Sequence, residues 1–304
     1  MPPANKQDGA TAAKKIGRAS QVTRPENEVD HDSRADPDYP SYRVEPGKKF
    51  KLSSVDPAAS EEYTERSGLR ELDRQRERLS DLQDVLYAEE KMGLLVILQA
   101  IGSGGKDGVS RGVFRGINPQ GCNVWHFKEP SEEEKSHDFL WRYHPKVPEK
   151  GTISIFNRSY YEQVLSDRVK GVAPEEVWRA RYDQINQFER ILTLNNTTIV
   201  KFYLHLSREE NKRRLEERLT DPNKHYLFSE ADIEEREAWN DYMAAFEDMV
   251  NECSTEYAPW YVIPTDNKWY RNLVIARTLA DTLEALNPQY PPLQVDPRKV
   301  KIPD

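Results

Sequence analysis

Leu94–Gln99 is an unbroken apolar run ending in Gln, and it passes directly into Ala100-Ile101-Gly102-Ser103-Gly104-Gly105-Lys106-Asp107-Gly108. A strand apolar at nearly every position has no face to give to water, so it belongs inside a sheet covered on both sides. The segment after it has the chemistry of an anion site. Glycines let the backbone curl so that several N–H groups point inward. The helix that follows adds the partial positive charge of its N-terminus. Lys106 supplies a mobile full charge of the kind that follows a transferable phosphate. The loop departs from G-x-x-x-x-G-K-[ST] at two places: Ala100 stands at the first glycine and Asp107 at the Ser/Thr position. A glycine-rich turn with no ligand is the plain alternative.

The rest of the chain extends this pattern. Short apolar runs at Cys122–Phe127, Thr152–Phe156, Thr198–Leu206 and Trp260–Ile263 alternate with helical periodicity near 107–117, 131–144, 159–166, 174–195, 207–219, 229–252 and 268–286. Alternation of this kind predicts an α/β fold, a five-stranded parallel sheet with helices on both faces. Ser207 with Glu210, and Ser229 with Asp232, have the spacing of helix N-terminal caps. Residues 60–90 predict one long charged helix, with Leu72, Leu79 and Leu86 repeating every seven beside Leu69, Leu82 and Val85. That stripe suits packing on the main domain or on another subunit.

Composition narrows the function. Lys+Arg is 44 against 52 Asp+Glu, a net charge of −8, which argues against a general nucleic-acid binder but leaves room for a local basic cleft. Six of the 20 prolines fall in residues 1–50, which contain no Leu and no Trp. Such a segment cannot bury enough apolar surface to offset its ordering entropy, so residues 1–58 are predicted to be a polar tail, disordered or laid on a surface. The longest apolar run, Gly93 to Ile101, is about half the length of a membrane span, and no membrane association is expected. Two cysteines, Cys122 and Cys253, suit a reducing cytoplasm and no disulfide framework. The predicted division is a tail at 1–58, a helix within 59–92, a phosphotransferase domain at 93–292 and a C-terminal tail at 293–304.

In open α/β sheets ligands gather at the carboxyl ends of the strands. The third strand ends in Phe156-Asn157-Arg158-Ser159-Tyr160-Tyr161-Glu162, which places Asn157 and Arg158 beside the loop. Arg158 can fork onto phosphate oxygens, and Glu162, a helical turn on, can hold a metal or orient an acceptor. A surface ion pair between the two is the plain alternative. Residues 208–236 hold seven basic groups and a break at Asp221-Pro222-Asn223-Lys224-His225. They read either as a solvated hairpin or as a lid that excludes water from the transfer. His126, His137, His144, His205 and His225 have no metal-ligand spacing.

Taken in order, several stretches together resemble the polyphosphate kinase 2 family. They are Gly104–Gly108; Asn118-Pro119-Gln120-Gly121; Phe127-Lys128 with Pro130-Ser131; His137–Arg142; Ile155–Glu162; Arg181-Tyr182 with Gln184-Ile185-Asn186 and Phe188-Glu189; Trp239 with Asp241-Tyr242; and Ala258–Tyr261. The resemblance runs from about residue 65 to 292. It implies a three-layer α/β/α P-loop kinase-like fold with a helical lid, an N-terminal helical extension and a homo-oligomer, dimer or tetramer. It also implies magnesium-dependent transfer between inorganic polyphosphate and a nucleoside mono- or diphosphate. Asn157 with Glu162 looks like the subgroup that accepts both. The resemblance further implies that Lys106 and Arg158 bind transferring phosphates, with Gly102, Ser103, Gly104, Gly105, Asp107 and Gly108 around them. It places Asp138, Arg142 and Asn157 near the nucleotide. Arg111, Lys128, Arg168, Arg218 and Lys224 would line the polyphosphate path or lid, and Asp107, Asn157 and Glu162 are the candidate magnesium ligands.

The chain departs from the family pattern at Gly102, where the family usually has an Asp that implies a magnesium contact. Phosphoryl transfer rests on positioning and charge stabilisation, so a missing carboxylate matters. Three readings stay open: a weakened or inactive member, Asp107 holding the metal, or Glu162 holding it through water. Tyr226-Leu227 also stands where the family's lid usually has Trp-Lys. Two other functions share these features: an ATP-dependent nucleotide kinase, and a non-catalytic protein that binds polyphosphate or nucleotide.

Overall fold

The computed structural model describes residues 41–61 and 63–303; the predicted tail up to residue 40 lies outside the described residues. Five strands, β1 (Gly93–Gln99), β2 (Cys122–His126), β3 (Ile153–Asn157), β4 (Thr197–His205) and β5 (Trp260–Pro264), form one sheet in the order β2-β3-β1-β4-β5. Every pairing is parallel. β1 is central and buried at all seven positions, as its apolar run requires. Because β3 and β4 leave its two edges in opposite directions, the carboxyl end of β1 opens at the switch point where ligands collect in such sheets.

Nine helices are described: α1 (Glu65–Glu89), α2 (Lys106–Val113), α3 (Glu132–Lys135), α4 (Glu162–Val169), α5 (Glu175–Leu194), α6 (Arg208–Thr220), α7 (Glu230–Glu237), α8 (Trp239–Cys253) and α9 (Lys268–Leu286). They pack as two groups, α1 with α2 and α9, and α4 with α5 and α8, with the sheet between. α1 therefore packs on its own domain. Its Leu72, Leu79 and Leu86 are buried, Gly68 leaves room for the Trp269 ring of α9, and Arg78 pairs with Asp281 and Glu284. A capping box between Thr64 and Ser67 starts the helix. Residues Tyr42–Val44 make one antiparallel bridge to β5 (Val44 N–H to Trp260 O, 2.8 Å; Val262 N–H to Tyr42 O, 2.9 Å), covering part of its edge, and Phe50–Leu52 bond to Asn251 and Glu247 of α8.

Two predicted helices are corrected. The one near 131–144 is only α3, because the Asp138 carboxylate takes the Leu140 N–H at 3.0 Å and turns the chain, after which residues His144–Lys146 make a single 3-10 turn. The one near 229–252 is broken at Ala238, whose N–H closes α7 on Glu234 while its C=O opens α8. The break lets α7 face the glycine-rich loop while Trp239, Tyr242 and Phe246 enter the core. Ser207 caps α6 through Glu210 N–H as predicted. Ser229 instead takes Ala231 N–H, and the Asp232 side chain is spent elsewhere.

Candidate active site

The loop between β1 and α2 is folded by its residue types. Ser103 and Gly105 have φ of 62° and 90°, and a Cβ on Gly104 would meet the Ala100 Cβ at 2.4 Å. The turn this creates puts Lys106 at the first position of α2, buried, its Nζ donating to Ala100 O at 2.9 Å. Burial, and after it the nearby Arg158, pull the Lys106 ammonium down to about 8. Two guanidinium groups support the loop from behind. Arg214 of α6 donates to Ser103 O (3.2 Å) and Thr265 O (2.6 Å). Arg271 of α9 is almost wholly buried beside Gly105, and among the described residues its guanidinium bonds only to the Asn272 amide oxygen. With no carboxylate to compensate it, burial and Arg214 bring Arg271 down to about 9. Buried cations thus back the loop, Arg214 paired with Glu210 at 2.8 Å and Arg271 with no carboxylate partner among the described residues, and the latter favours an entering anion.

At the end of β3, Asn157 is buried, and its Nδ2 donates to Asp107 Oδ1 at 2.5 Å while its own Oδ1 has no hydrogen-bond partner among the described residues. Arg158 has a positive φ of 65° and lies between Glu162 (3.4 Å) and Glu235 of α7 (3.5 Å). Glu162, and then Glu235, hold its guanidinium in the charged form. Glu162 also accepts from Gln99 Nε2 at 3.0 Å. Gly102, Ser103, Gly104, Gly105, Lys106, Asp107, Gly108, Asn157, Arg158 and Glu162 are therefore brought together.

The other candidates are placed less closely. Arg111 is exposed on the last turn of α2, and Lys128 is exposed past β2; neither has an ion-pair partner among the described residues. Arg218 pairs with Asp232 and donates to Leu227 O (2.8 Å), and Lys224 pairs with Glu217 and Asp221. Both belong to the α6–α7 segment that closes over the loop. Arg168, on the last turn of α4, pairs with Asp248 at 2.8 Å and stacks on Trp178. Asp138 lines a cavity of about 550 Å³ with Trp141, His144, Phe188 and Ile191. Arg142 turns away from it, onto Phe127, Tyr143 and Glu134.

Sequence reasoning missed five residues at the loop: Asn211 and Arg214 on α6, Asp232 and Glu235 on α7, and Arg271 on α9. Asn211 Nδ2 donates to Gly102 O (2.9 Å) and Ser103 Oγ (3.0 Å), and Glu235 Oε2 accepts the Gly102 N–H at 2.6 Å. The available signal was spacing. Asn211, Arg214 and Arg218 share one helical face, as do Asp232 and Glu235, but the even mixture of charges in this stretch hid it.

A model of the family described as "Polyphosphate kinase 2 (PPK2)" matches residues 61–291. The chain belongs to the polyphosphate kinase 2 family. It is 46% identical over 263 residues to the AMP/ADP-polyphosphate phosphotransferase of Meiothermus ruber, covering 86% of this chain and 98% of that one. It is 44% identical to the ADP-polyphosphate phosphotransferase of Rhodopseudomonas palustris, covering 82% and 91%. The crystal structure of polyphosphate kinase 2 from Arthrobacter aurescens superimposes with a TM-score of 0.80 at 42% identity, covering 84% of this chain and 92% of that one. As a polyphosphate kinase 2 the chain is an enzyme, and its parallel sheet and loop are those of an α/β P-loop kinase-like fold. No described helix is long and apolar enough to cross a membrane.

The family implies magnesium. Among the described residues no three His, Cys, Asp or Glu side chains gather into a metal cage. Magnesium is commonly held by one or two carboxylates together with substrate phosphates and retained waters. The orphan Oδ1 of Asn157 beside the exposed Asp107 carboxylate is a hard-oxygen pair of the right chemistry.

Proposed function

We propose that this polyphosphate kinase 2 phosphorylates nucleoside mono- and diphosphates from inorganic polyphosphate. The observation that carries this reading is the pair of buried cations at the loop: Lys106, with a hydrogen bond to Ala100 O, and Arg271 beside Gly105, which burial and Arg214 bring down to about 9. An entering polyanion gives these desolvated groups a charged partner. Lys106 and the loop N–H groups hold the transferring phosphate, and Arg158 clamps it as negative charge spreads over its oxygens. Glu162 restrains Arg158. Arg111, Lys128, Arg168, Arg218 and Lys224 carry the rest of the polyphosphate chain, and Asp138 lies near the acceptor nucleotide, with Arg142 reaching it only on leaving Glu134 and Phe127.

Asp107 and Asn157, with Glu162 nearby, would hold magnesium, which when bound neutralises phosphate charge. A homo-oligomer and a cytoplasmic setting belong to the same proposal; the two free cysteines, one of them buried, suit that compartment. The test is turnover of AMP or ADP with long-chain polyphosphate and magnesium, following ATP, against a control with ATP as the phosphate source. Polyphosphate-dependent ATP formation is expected. Transfer from ATP alone would replace the reading with an ordinary nucleotide kinase, and binding of polyphosphate without turnover would make the chain a binding protein.

A further inference from the structure

Gly102 can be glycine for one of two physical reasons, backbone conformation or space. Conformation is not the reason, because Gly102 is absent from the positive-φ residues of the loop, Ser103 and Gly105. Space is. A Cβ on residue 102 would lie 2.2 Å from Asp232 Oδ1 and 2.8 Å from its Cγ. Asp232 has little freedom to retreat, since Arg218 holds it from α6.

One turn later on the same face of α7, Glu235 ties three parts of the molecule together. Its Oε2 takes the Gly102 N–H at 2.6 Å and its Oε1 lies 3.5 Å from Arg158. The opposite side of the same peptide segment is held as well: Asn211 donates to Gly102 O, and Arg236 donates to Asn211 Oδ1 at 2.8 Å. Residue 102 is thus the point where α6 and α7 both grip the phosphate loop. A carboxylate has no proton to donate and repels phosphate oxygens, so Glu235 acts on the reaction through the groups it holds.

Resting on the polyphosphate-kinase reading above, we propose that Glu235 is a positioning residue that docks the lid on Gly102 and aims Arg158, and that the bare Cα of Gly102 is what admits it. Closing the lid then assembles the Arg158 clamp in the same movement, so the transfer site is complete only when water is excluded. It also follows that adding a side chain at 102 does not simply restore the family's Asp; it competes with Asp232 for the same space.

The experiment uses the full chain and four variants: E235A, E235Q, G102A and G102A/D232G. Two readouts are taken, steady-state kinetics with ADP and polyphosphate, and tryptic cleavage of the lid around Lys224 without substrate. E235A is expected to lower kcat about 10–100-fold with little change in the ADP KM, and to speed lid cleavage. E235Q keeps an acceptor for Gly102 N–H but loses the charge beside Arg158, so it should keep slow cleavage yet lose kcat. G102A should lose kcat and open the lid, and G102A/D232G should recover part of both. Wild-type kcat and cleavage in E235A, or in G102A, would overturn the proposal. Should wild-type protein make no ATP from polyphosphate, the functional reading fails, while the cleavage rates still decide whether Glu235 and Gly102 dock the lid.

Discussion

Among the described residues two lysines are buried, Lys201 in a strand of the sheet and Lys106 at the carboxyl end of its central strand, and they are opposites. Lys201, on β4, is fully buried and fully satisfied: its Nζ donates to Glu189 Oε2 (2.6 Å), the Tyr161 hydroxyl (2.9 Å) and Cys253 O (2.6 Å). Glu189 in turn accepts from the Tyr160 and Tyr161 hydroxyls at 2.9 and 2.8 Å. Nothing is left over for a ligand. Lys106 is nearly as buried, yet it has a single carbonyl partner, and its ordinary pKa of 10.5 falls to about 8. A closed charge network fixes a core, whereas a charge left short of partners is held ready for a ligand that completes it.

Replacing each lysine by methionine breaks the comparison most directly. Lys201→Met strands the Glu189 carboxylate in the core and should cost about 3–5 kcal/mol of stability, measured by urea denaturation. Protein that remains folded should turn over normally. Adding Glu189→Leu should return most of the loss, because the unpaired charge goes with it. No loss on Lys201→Met would mean that the network is not what holds that face.

Lys106→Met should show the reverse. Removing the charge that meets the transferring phosphate should cost about 10²–10³ in kcat/KM, without destabilising the fold. The sign of the stability change follows from linkage. The folded pKa lies below the unfolded one, so the unfolded chain binds more protons between about 8 and 10.5. Wild-type stability from this group is therefore lowest below pH 8 and rises through that window. The variant lacks the penalty and should be more stable at pH 7, by up to about 3 kcal/mol. Wild-type affinity for tripolyphosphate should also weaken as pH rises through about 8, a limb that calorimetry should find missing in the variant. A lower stability at pH 7 would place Lys106 with Lys201, as a structural residue.

The same contrast explains what could be seen in the sequence. Strands β1 to β5 were legible because continuous apolar runs have one use in an α/β chain, and the Lys106 loop because glycines and a lysine after a buried strand have few others. Local signals of that kind do not extend to partners brought from far along the chain. Glu235 and Asp232 reach Gly102 across some 130 residues, and their own helix reads as a solvated face because it is dominated by acids with one arginine, Arg236. Arg271 was hidden for the opposite reason: it sits among apolar residues of α9, where one arginine looks incidental. The break at Ala238 was missed because it is made by where the two helices must face, which no run of residues on either side records.

The smallest effect is expected at Arg168, and it sharpens the boundary between the two kinds of charge. The pair with Asp248 is partly exposed, with 45% of the Asp248 side chain accessible, so the attraction is screened by water. Arg168→Gln should therefore cost under about 1 kcal/mol of stability, some of it from lost stacking on Trp178. If the polyphosphate path extends to this end of α4, the chain's charge competes with Asp248 for the guanidinium. The variant should then raise the KM for long-chain polyphosphate a few-fold and leave that for a short oligophosphate unchanged. Equal KM values for both lengths would take Arg168 off the path and leave it with Lys201, a cation whose partners are already in place.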